Sequence, residues 1–298
     1  MVPDAGPMTL SGVLVPLITP FDAAGAVARD ALEALANEVL DDGAAGLVAL
    51  GTTAEPTSLN TVERHLVLDV LLGVCRERSA ALLVGASTPD ALAELRGRPG
   101  VTAAMSTVPP FVRPGEDGVV AHFAALAAAS PVPLVVYHVP HRTGQHLSAG
   151  TLRRLAAVDG VVGVKYAAGL DADAVDLLAD PPAGFALLGG DDVVISPLLA
   201  LGAHGGILAS AHFATARFVE LVDAWHADDA GRGRALGHRL APLSAAVFAE
   251  PNPVVVKAVL HAQGRIPTPA VRLPLLAAGP GSTREALRQV ERVTPVAA

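Results

Sequence analysis

The chain is short of several things, and each shortage excludes something. There is one cysteine, Cys75, in 298 residues. That rules out an intrachain disulfide and a metal held by a cysteine cluster. No apolar run reaches 18 residues; the long alanine-rich stretches are broken by Pro, Gly, Asp or His. A membrane span is therefore not expected. There is no Lys/Arg block, and 21 basic residues against 29 acidic ones give a formal net charge of −8. Such a chain is a poor candidate for nucleic acid or an anionic membrane surface. Residues 1–10 hold Pro3, Asp4, Gly6 and Pro7 and lack the basic and apolar regions of a signal peptide. The expectation is a cytoplasmic protein. Two further shortages bear on chemistry. Lysine occurs only at Lys165 and Lys257, and tyrosine only at Tyr137 and Tyr166. Where lysine is this scarce, each one raises the question of its role.

What is present is apolar. The broad hydrophobic fraction is 51%, enough for a large core and too much for a disordered chain. Short apolar runs stand at residues 13–17, 46–50, 81–85, 103–107, 133–137, 161–165, 186–189 and 206–209. Each is four or five residues long, nearly continuous, and followed within four residues by Gly, Pro, Thr or Ser, as strands buried on both faces of a parallel sheet are. Helical patterns lie between them at 30–40, 61–75, 116–129, 148–156, 171–178 and 192–201, and Asn60-Thr61-Val62-Glu63 reads as a capping box. Residues 89–100 hold Arg96-Gly97-Arg98-Pro99-Gly100 and predict a stunted third helix. The alternation predicts an α/β fold, a (β/α)8 TIM barrel over residues 1–225, with residues 226–298 as a C-terminal helical extension of the same domain. An open doubly wound sheet is less well supported, because no Gly-x-Gly-x-x-Gly turn follows the first strand.

In such barrels the chemistry gathers at the C-terminal strand ends. Lys165 closes the sixth strand, Val161-Val162-Gly163-Val164-Lys165. An amine there is expected to be partly desolvated, which favours the neutral form that attacks a carbonyl; the competing role is a structural lysine paired with an acid. Tyr137 ends the neighbouring strand, either as a core aromatic or as a proton carrier. Thr52 and Thr53 follow Gly51 at the second strand end, where backbone N–H groups and hydroxyls suit a small carboxylate or simply make a turn. Arg142 is either a bidentate clamp for a carboxylate or a loop charge. Lys257, inside the late apolar helix 253–263, is expected to have a surface or packing role. His138, His141 and His146 fall in one loop and are expected to be hydrogen-bonding residues rather than metal ligands, and no metal is expected.

Taken together these segments resemble the dihydrodipicolinate synthase/N-acetylneuraminate lyase family of class I aldolases, nearly end to end. Gly12-Val13-Leu14-Val15-Pro16-Leu17-Ile18-Thr19-Pro20-Phe21 is similar to the family's first strand, and Gly51-Thr52-Thr53-Ala54-Glu55 to its Gly-Thr-Thr-Gly-Glu loop. Tyr137-His138-Val139-Pro140-His141-Arg142-Thr143-Gly144 resembles the Tyr-Asn-Val-Pro-x-Arg-Thr-Gly of the synthase branch. Gly190-Asp191-Asp192, His204-Gly205-Gly206-Ile207 and Glu250-Pro251-Asn252-Pro253 match later motifs. The resemblance implies a catalytic Lys165 that forms a covalent imine with a 2-keto acid, pyruvate, and needs no other cofactor. It implies Tyr137 as proton shuttle with Thr53 as relay, and Thr52 and Thr53 as holders of the pyruvate carboxylate. Gly190 and Ile207 would line the pocket, Arg142 would receive the carboxylate of the aldehyde, aspartate semialdehyde, and Glu55 would be structural. A homo-oligomer, tetramer or dimer, is the family habit.

The sequence departs from the family pattern at Phe111. Val108-Pro109-Pro110-Phe111-Val112-Arg113-Pro114 stands where the family has Thr-Pro-Tyr-Tyr-Asn-Arg-Pro, whose second tyrosine reaches in from a neighbouring subunit. Phe111 keeps that ring and loses its hydroxyl. Ala54 replaces a glycine, a restriction if the position needs positive φ. Two alternatives stay open: an aldolase or dehydratase of a 2-keto-3-deoxy sugar acid, and a degenerate, non-catalytic member.

Overall fold

The computed structural model describes residues 10–293. Residues 1–9 and 294–298 lie outside it, and with them the opening segment read for a signal and the outer ends of the expected barrel and extension. Eight strands run in chain order: β1 (Gly12–Pro16), β2 (Gly46–Ala49), β3 (Ala81–Gly85), β4 (Ala103–Thr107), β5 (Leu134–His138), β6 (Val161–Tyr166), β7 (Ala186–Gly189) and β8 (Gly205–Ile207). They close into a barrel, β1 pairing with β8, and all neighbours are parallel.

Helices return the chain between strands: α1 (Arg29–Asp41), α2 (Thr61–Arg78), α3 (Pro89–Ala93), α4 (Gly115–Ala129), α5 (Pro140–Thr143), α6 (Ala149–Ala156), α7 (Ala172–Ala179) and α8 (Ile195–Ala200). After β8 come α9 (Ala211–His226), α10 (Ala230–Val247), α11 (Val254–Ala262) and α12 (Pro280–Val293). The sequence at the helix starts explains several of them. Asn60 and Glu63 form the expected capping box of α2, while Thr88, Ser148 and Asp171 each accept a backbone N–H at a helix N-terminus. The third helix is a single short segment, as its Gly/Pro-rich sequence predicts. One boundary differs from expectation: the pattern at 192–201 is a 3₁₀ turn (Asp192–Val194) followed by α8. Within α9, Ala214 leaves helical geometry (φ −148°, ψ 42°) and kinks the helix near its start.

Strand alternation divides the core into two layers. Leu14, Val48, Leu83, Met105, Val135, Tyr137, Leu188 and Ile207 fill the barrel interior, while Val13, Leu47, Leu82, Val136, Val164 and Tyr166 pack outward against the helices. β6 holds an exception that matters for the site. Leu134 of β5 faces Val161, but Val135 faces Gly163, so Val162 is an extra residue in the pairing. Val161 and Val164 both face outward, whereas a strict two-residue period would give them opposite faces. The step at Val162 resets the alternation, and Lys165 thereby faces inward beside Tyr137 with Tyr166 outward. Among the described residues no helix is long and apolar enough to cross a membrane.

Candidate active site

At the C-terminal mouth of the barrel lies a cavity of about 230 Å³. Seven of the residues singled out from the sequence line it: Thr52, Thr53, Tyr137, Arg142, Lys165, Gly190 and Ile207. They come from β2, β5, β6, β7 and β8 or the turns that follow these strands, which explains how positions over 150 residues apart converge. Tyr137 and Lys165 are directly paired in the β5–β6 register. Both are buried, at 8% and 6% exposure, and the Lys165 Nζ stands 4.5 Å from the centre of the Tyr137 ring. Gly190 makes room for that lysine: a Cβ added there would meet Lys165 Cγ and Cε at 2.8 Å and Ala167 Cβ at 3.1 Å. Arg142 sits on the short α5 at the cavity wall with His141 beside it.

The Thr52-Thr53 segment is a 3₁₀ turn spanning Thr52–Ala54, entered and left through left-handed backbone at Leu50 (φ 54°) and Glu55 (φ 54°). Ala54 is not one of the left-handed positions, so its methyl group is no obstacle to the turn. Its carbonyl accepts from the Thr19 hydroxyl at 2.8 Å. The first N–H groups of a helical turn have no partner inside it, and here that end of the turn borders the cavity.

The turn is clamped from behind by the C-terminal helices. Glu55 is 5% exposed; one of its oxygens accepts from Lys257 Nζ at 2.8 Å and the other from the Arg272 backbone N–H at 2.8 Å. Lys257 is wholly buried, 4.0 Å from the centre of the Phe21 ring. The surface option for this lysine is thus corrected: its stem packs in the core because Glu55 neutralises its head. Burial outweighs that partner and pushes the Lys257 ammonium down to about 8. Arg272 lies over the same ring at 4.3 Å and donates to Glu63, which its guanidinium holds below the usual carboxylate range.

Two polar residues of the cavity wall carried no role in the sequence reading. Asn252, between α10 and α11, donates from Nδ2 to Thr53 Oγ1 at 2.8 Å. Asp192 is buried and accepts from the Ser210 N–H at 2.7 Å; burial pushes its carboxyl up to about 6. Both stand in short sequence motifs that match the family, Pro-Asn-Pro and Gly-Asp-Asp, and that was the available signal. Phe111 is the residue that does not converge. It sits in the β4–α4 loop at 90% exposure with φ 66°, outside the cavity of its own chain.

The three loop histidines separate. His141 lines the cavity. His146 meets the Asp173 carboxylate at 2.9 Å. His138, expected to hydrogen-bond in the loop, is instead the last residue of β5, fully buried between the His146 and Tyr166 rings, with both ring nitrogens unpartnered among the described residues. Burial drives its titration down to about 4, so it is neutral at pH 7. His146, Asp171 and Asp173 bring ligand-type atoms within 4.8 Å of one another away from the cavity. Their oxygens already serve the backbone N–H groups of Ala149 and Ala174 and the Tyr166 hydroxyl.

Comparison with known proteins agrees with this geometry. The family profile described as "Dihydrodipicolinate synthetase family" matches residues 9–292. The chain is 36% identical over 277 residues to 4-hydroxy-tetrahydrodipicolinate synthase of Moorella thermoacetica, covering 92% of this chain and 93% of that protein. Among solved structures, a monomeric dihydrodipicolinate synthase variant superposes with a TM-score of 0.91 at 28% identity, over 97% of this chain and 98% of that one. The chloride-inhibited enzyme of Acinetobacter baumannii, complexed with pyruvate, gives 0.88 at 31% identity, over 96% and 99%.

Proposed function

The chain belongs to the dihydrodipicolinate synthetase family, and from that premise we propose that it is a Schiff-base lyase joining pyruvate to aspartate semialdehyde, the reaction of 4-hydroxy-tetrahydrodipicolinate synthase. The observation that carries the reading is the pairing of Lys165 and Tyr137 at the floor of the cavity, amine 4.5 Å from the ring centre. In its neutral form the Lys165 amine attacks the keto carbon of pyruvate and loses water to give an imine. Loss of a proton from the pyruvate methyl group gives an enamine, whose carbon attacks the aldehyde. Attack on the product imine carbon by water, or by the substrate's own amino group, breaks the bond to Lys165 and returns the free amine. Tyr137 carries protons to and from the reacting oxygen and nitrogen, with Thr53 behind it. Thr52 and Thr53 hold the pyruvate carboxylate and Arg142 the carboxylate of the aldehyde. Gly190 and Ile207 shape the walls. The covalent imine takes the place of a cofactor, and no metal enters the scheme.

Phe111 favours a homo-oligomer, dimer or tetramer. A bare phenyl ring at the tip of the β4–α4 loop suits insertion against a second copy, where the family's tyrosine adds a hydroxyl to the relay. Its absence here lowers synthase turnover by about ten- to a hundredfold if the relay depends on it, which keeps an aldolase or dehydratase of a 2-keto-3-deoxy sugar acid as the second reading. Borohydride reduction in the presence of pyruvate, followed by peptide mass mapping, tests the first: the label is expected on Lys165 and absent from Lys165→Arg. No label with any 2-keto acid overturns both readings. Arg142→Ala then separates them, since it should weaken use of a carboxylated aldehyde and spare a neutral one.

A further inference from the structure

His141 lines the cavity and has no part in the scheme above. It neighbours Arg142 on α5, and both side chains are exposed toward the mouth, while Lys165 and Tyr137 are buried. Neither His141 nor Arg142 has a hydrogen bond or an ion pair among the described residues. The two carboxylates of the same wall are partly engaged: Asp191 accepts from the Val193 N–H at 3.2 Å and Asp192 from the Ser210 N–H at 2.7 Å. Burial and the Arg142 charge hold the His141 imidazole below the ordinary histidine range, against the pull of Asp191. The ring is therefore neutral at pH 7 and keeps a lone pair for a proton.

Aspartate semialdehyde carries its carboxylate and its ammonium on one carbon. A residue next in the chain to the one that holds the carboxylate is within reach of the ammonium. An ammonium has no lone pair and cannot attack the imine carbon until it gives up a proton. A carboxylate is ordinarily too weak a base for that at pH 7, and an imidazole is matched to it. We propose that His141 is the base that frees the substrate's amine, so that the amine rather than water releases the product from Lys165. This rests on the reading of the cavity as a Schiff-base site. The step balances. The ammonium gives one proton to His141, and the freed nitrogen forms a bond to the imine carbon. A second proton passes from that nitrogen to the Lys165 nitrogen as the carbon–Lys165 bond breaks. The product leaves as a protonated cyclic imine, and His141 returns its proton to water.

His141→Gln keeps a polar side chain and loses the base. With pyruvate and aspartate semialdehyde its kcat is expected about a hundredfold below wild type at pH 7, with KM for pyruvate unchanged. The variant-to-wild-type ratio should climb as pH is raised, because the ammonium then loses its proton to water unaided. Borohydride added during turnover should trap more of the variant's Lys165 as the heavier adduct of pyruvate plus aldehyde. With succinate semialdehyde, which keeps the carboxylate and lacks the amine, the deficit should disappear. Added imidazole should restore part of the rate to His141→Ala. Pyruvate–borohydride labelling should persist in both variants, which shows that the site is folded and loaded. A labelled wild type combined with a deficit flat in pH, or equal for the two aldehydes, or without the heavier adduct, overturns the role of His141 alone. An unlabelled wild type overturns the Schiff-base reading and this proposal with it.

Discussion

Replacing Lys257 by methionine keeps the stem length and removes one buried charge. Glu55 then loses the donor at 2.8 Å and keeps the Arg272 N–H. Removing one partner of a buried pair costs about 3–5 kcal/mol, because the remaining charge is stranded. The protein has a way out, since the carboxylate can take up a proton. At pH 7 converting an ordinary carboxylate to its acid costs about 4 kcal/mol, and at pH 5 about 1 kcal/mol. The loss on Lys257→Met is therefore expected to be about 3–4 kcal/mol at pH 7 and about 1 kcal/mol at pH 5. For a chain of this size that is a fall in Tm of roughly 6–8 °C at neutral pH. Thermal and urea unfolding at both pH values, on wild type, Lys257→Met and Glu55→Gln/Lys257→Met, checks the argument. The double variant has no stranded charge and should recover most of the loss at pH 7. Since Glu55 directly follows the Thr52–Ala54 turn, KM for pyruvate should rise in the single variant. A single variant within about 1 kcal/mol of wild type at pH 7, or one whose deficit is the same at pH 5, refutes the reasoning.

Other expectations follow from the same description. His138 and His212 are both buried and titrate near 4 in the folded protein. The unfolded chain binds their protons more tightly, so the stability each lends is complete above pH 6.5 and is lost as pH falls toward 4, by roughly 3 kcal/mol apiece. Tm measured from pH 7 to pH 4 should fall, and His138→Asn should flatten the slope. Asp192 has the opposite sign. Its carboxyl is raised to about 6, so its ionisation costs the fold up to roughly 3 kcal/mol above pH 6 and nothing below pH 4. Asp192→Asn is expected to raise stability at pH 7, seen as a higher urea midpoint, while removing a negative charge near Lys165. Gly190→Ala places a methyl 2.8 Å from the Lys165 stem; displacing the amine by that contact should slow borohydride trapping by about a hundredfold, with little change in Tm.

Most of the barrel was legible because its strands are buried on both faces. Continuous apolar runs such as Ala81–Gly85 and Ala103–Thr107 match the predicted boundaries to the residue. The same continuity hid the facing of the side chains. Val161-Val162-Gly163-Val164 has no polar residue to mark a period, so the register step at Val162 left no trace in the sequence. The cavity residues were legible where scarcity and motif coincided, at Lys165, Tyr137 and the Thr52-Thr53 turn. The burial of Lys257 was only partly legible because its partner Glu55 lies 202 residues away, although a lysine flanked by Val254-Val255-Val256 and Ala258-Val259-Leu260 was a sign of it. Asn252 and Asp192 act through contacts with Thr53 and Ser210 that only the folded chain brings together.

The alternation beyond the extra residue in β6 makes the barrel sensitive to reading frame in three dimensions. Substitutions at Val162 that keep an apolar side chain should be absorbed, and so should its deletion, but inserting one residue between Val164 and Lys165 would turn the lysine toward the helices, exchanging amine and Tyr166 ring between mouth and shell. The eight strands could still close and the core could still be apolar. A chain so altered would keep every residue of its motifs and lose its nucleophile, so in a lineage of such barrels the length of this strand's end, more than its composition, is what separates a catalyst from its inert copy.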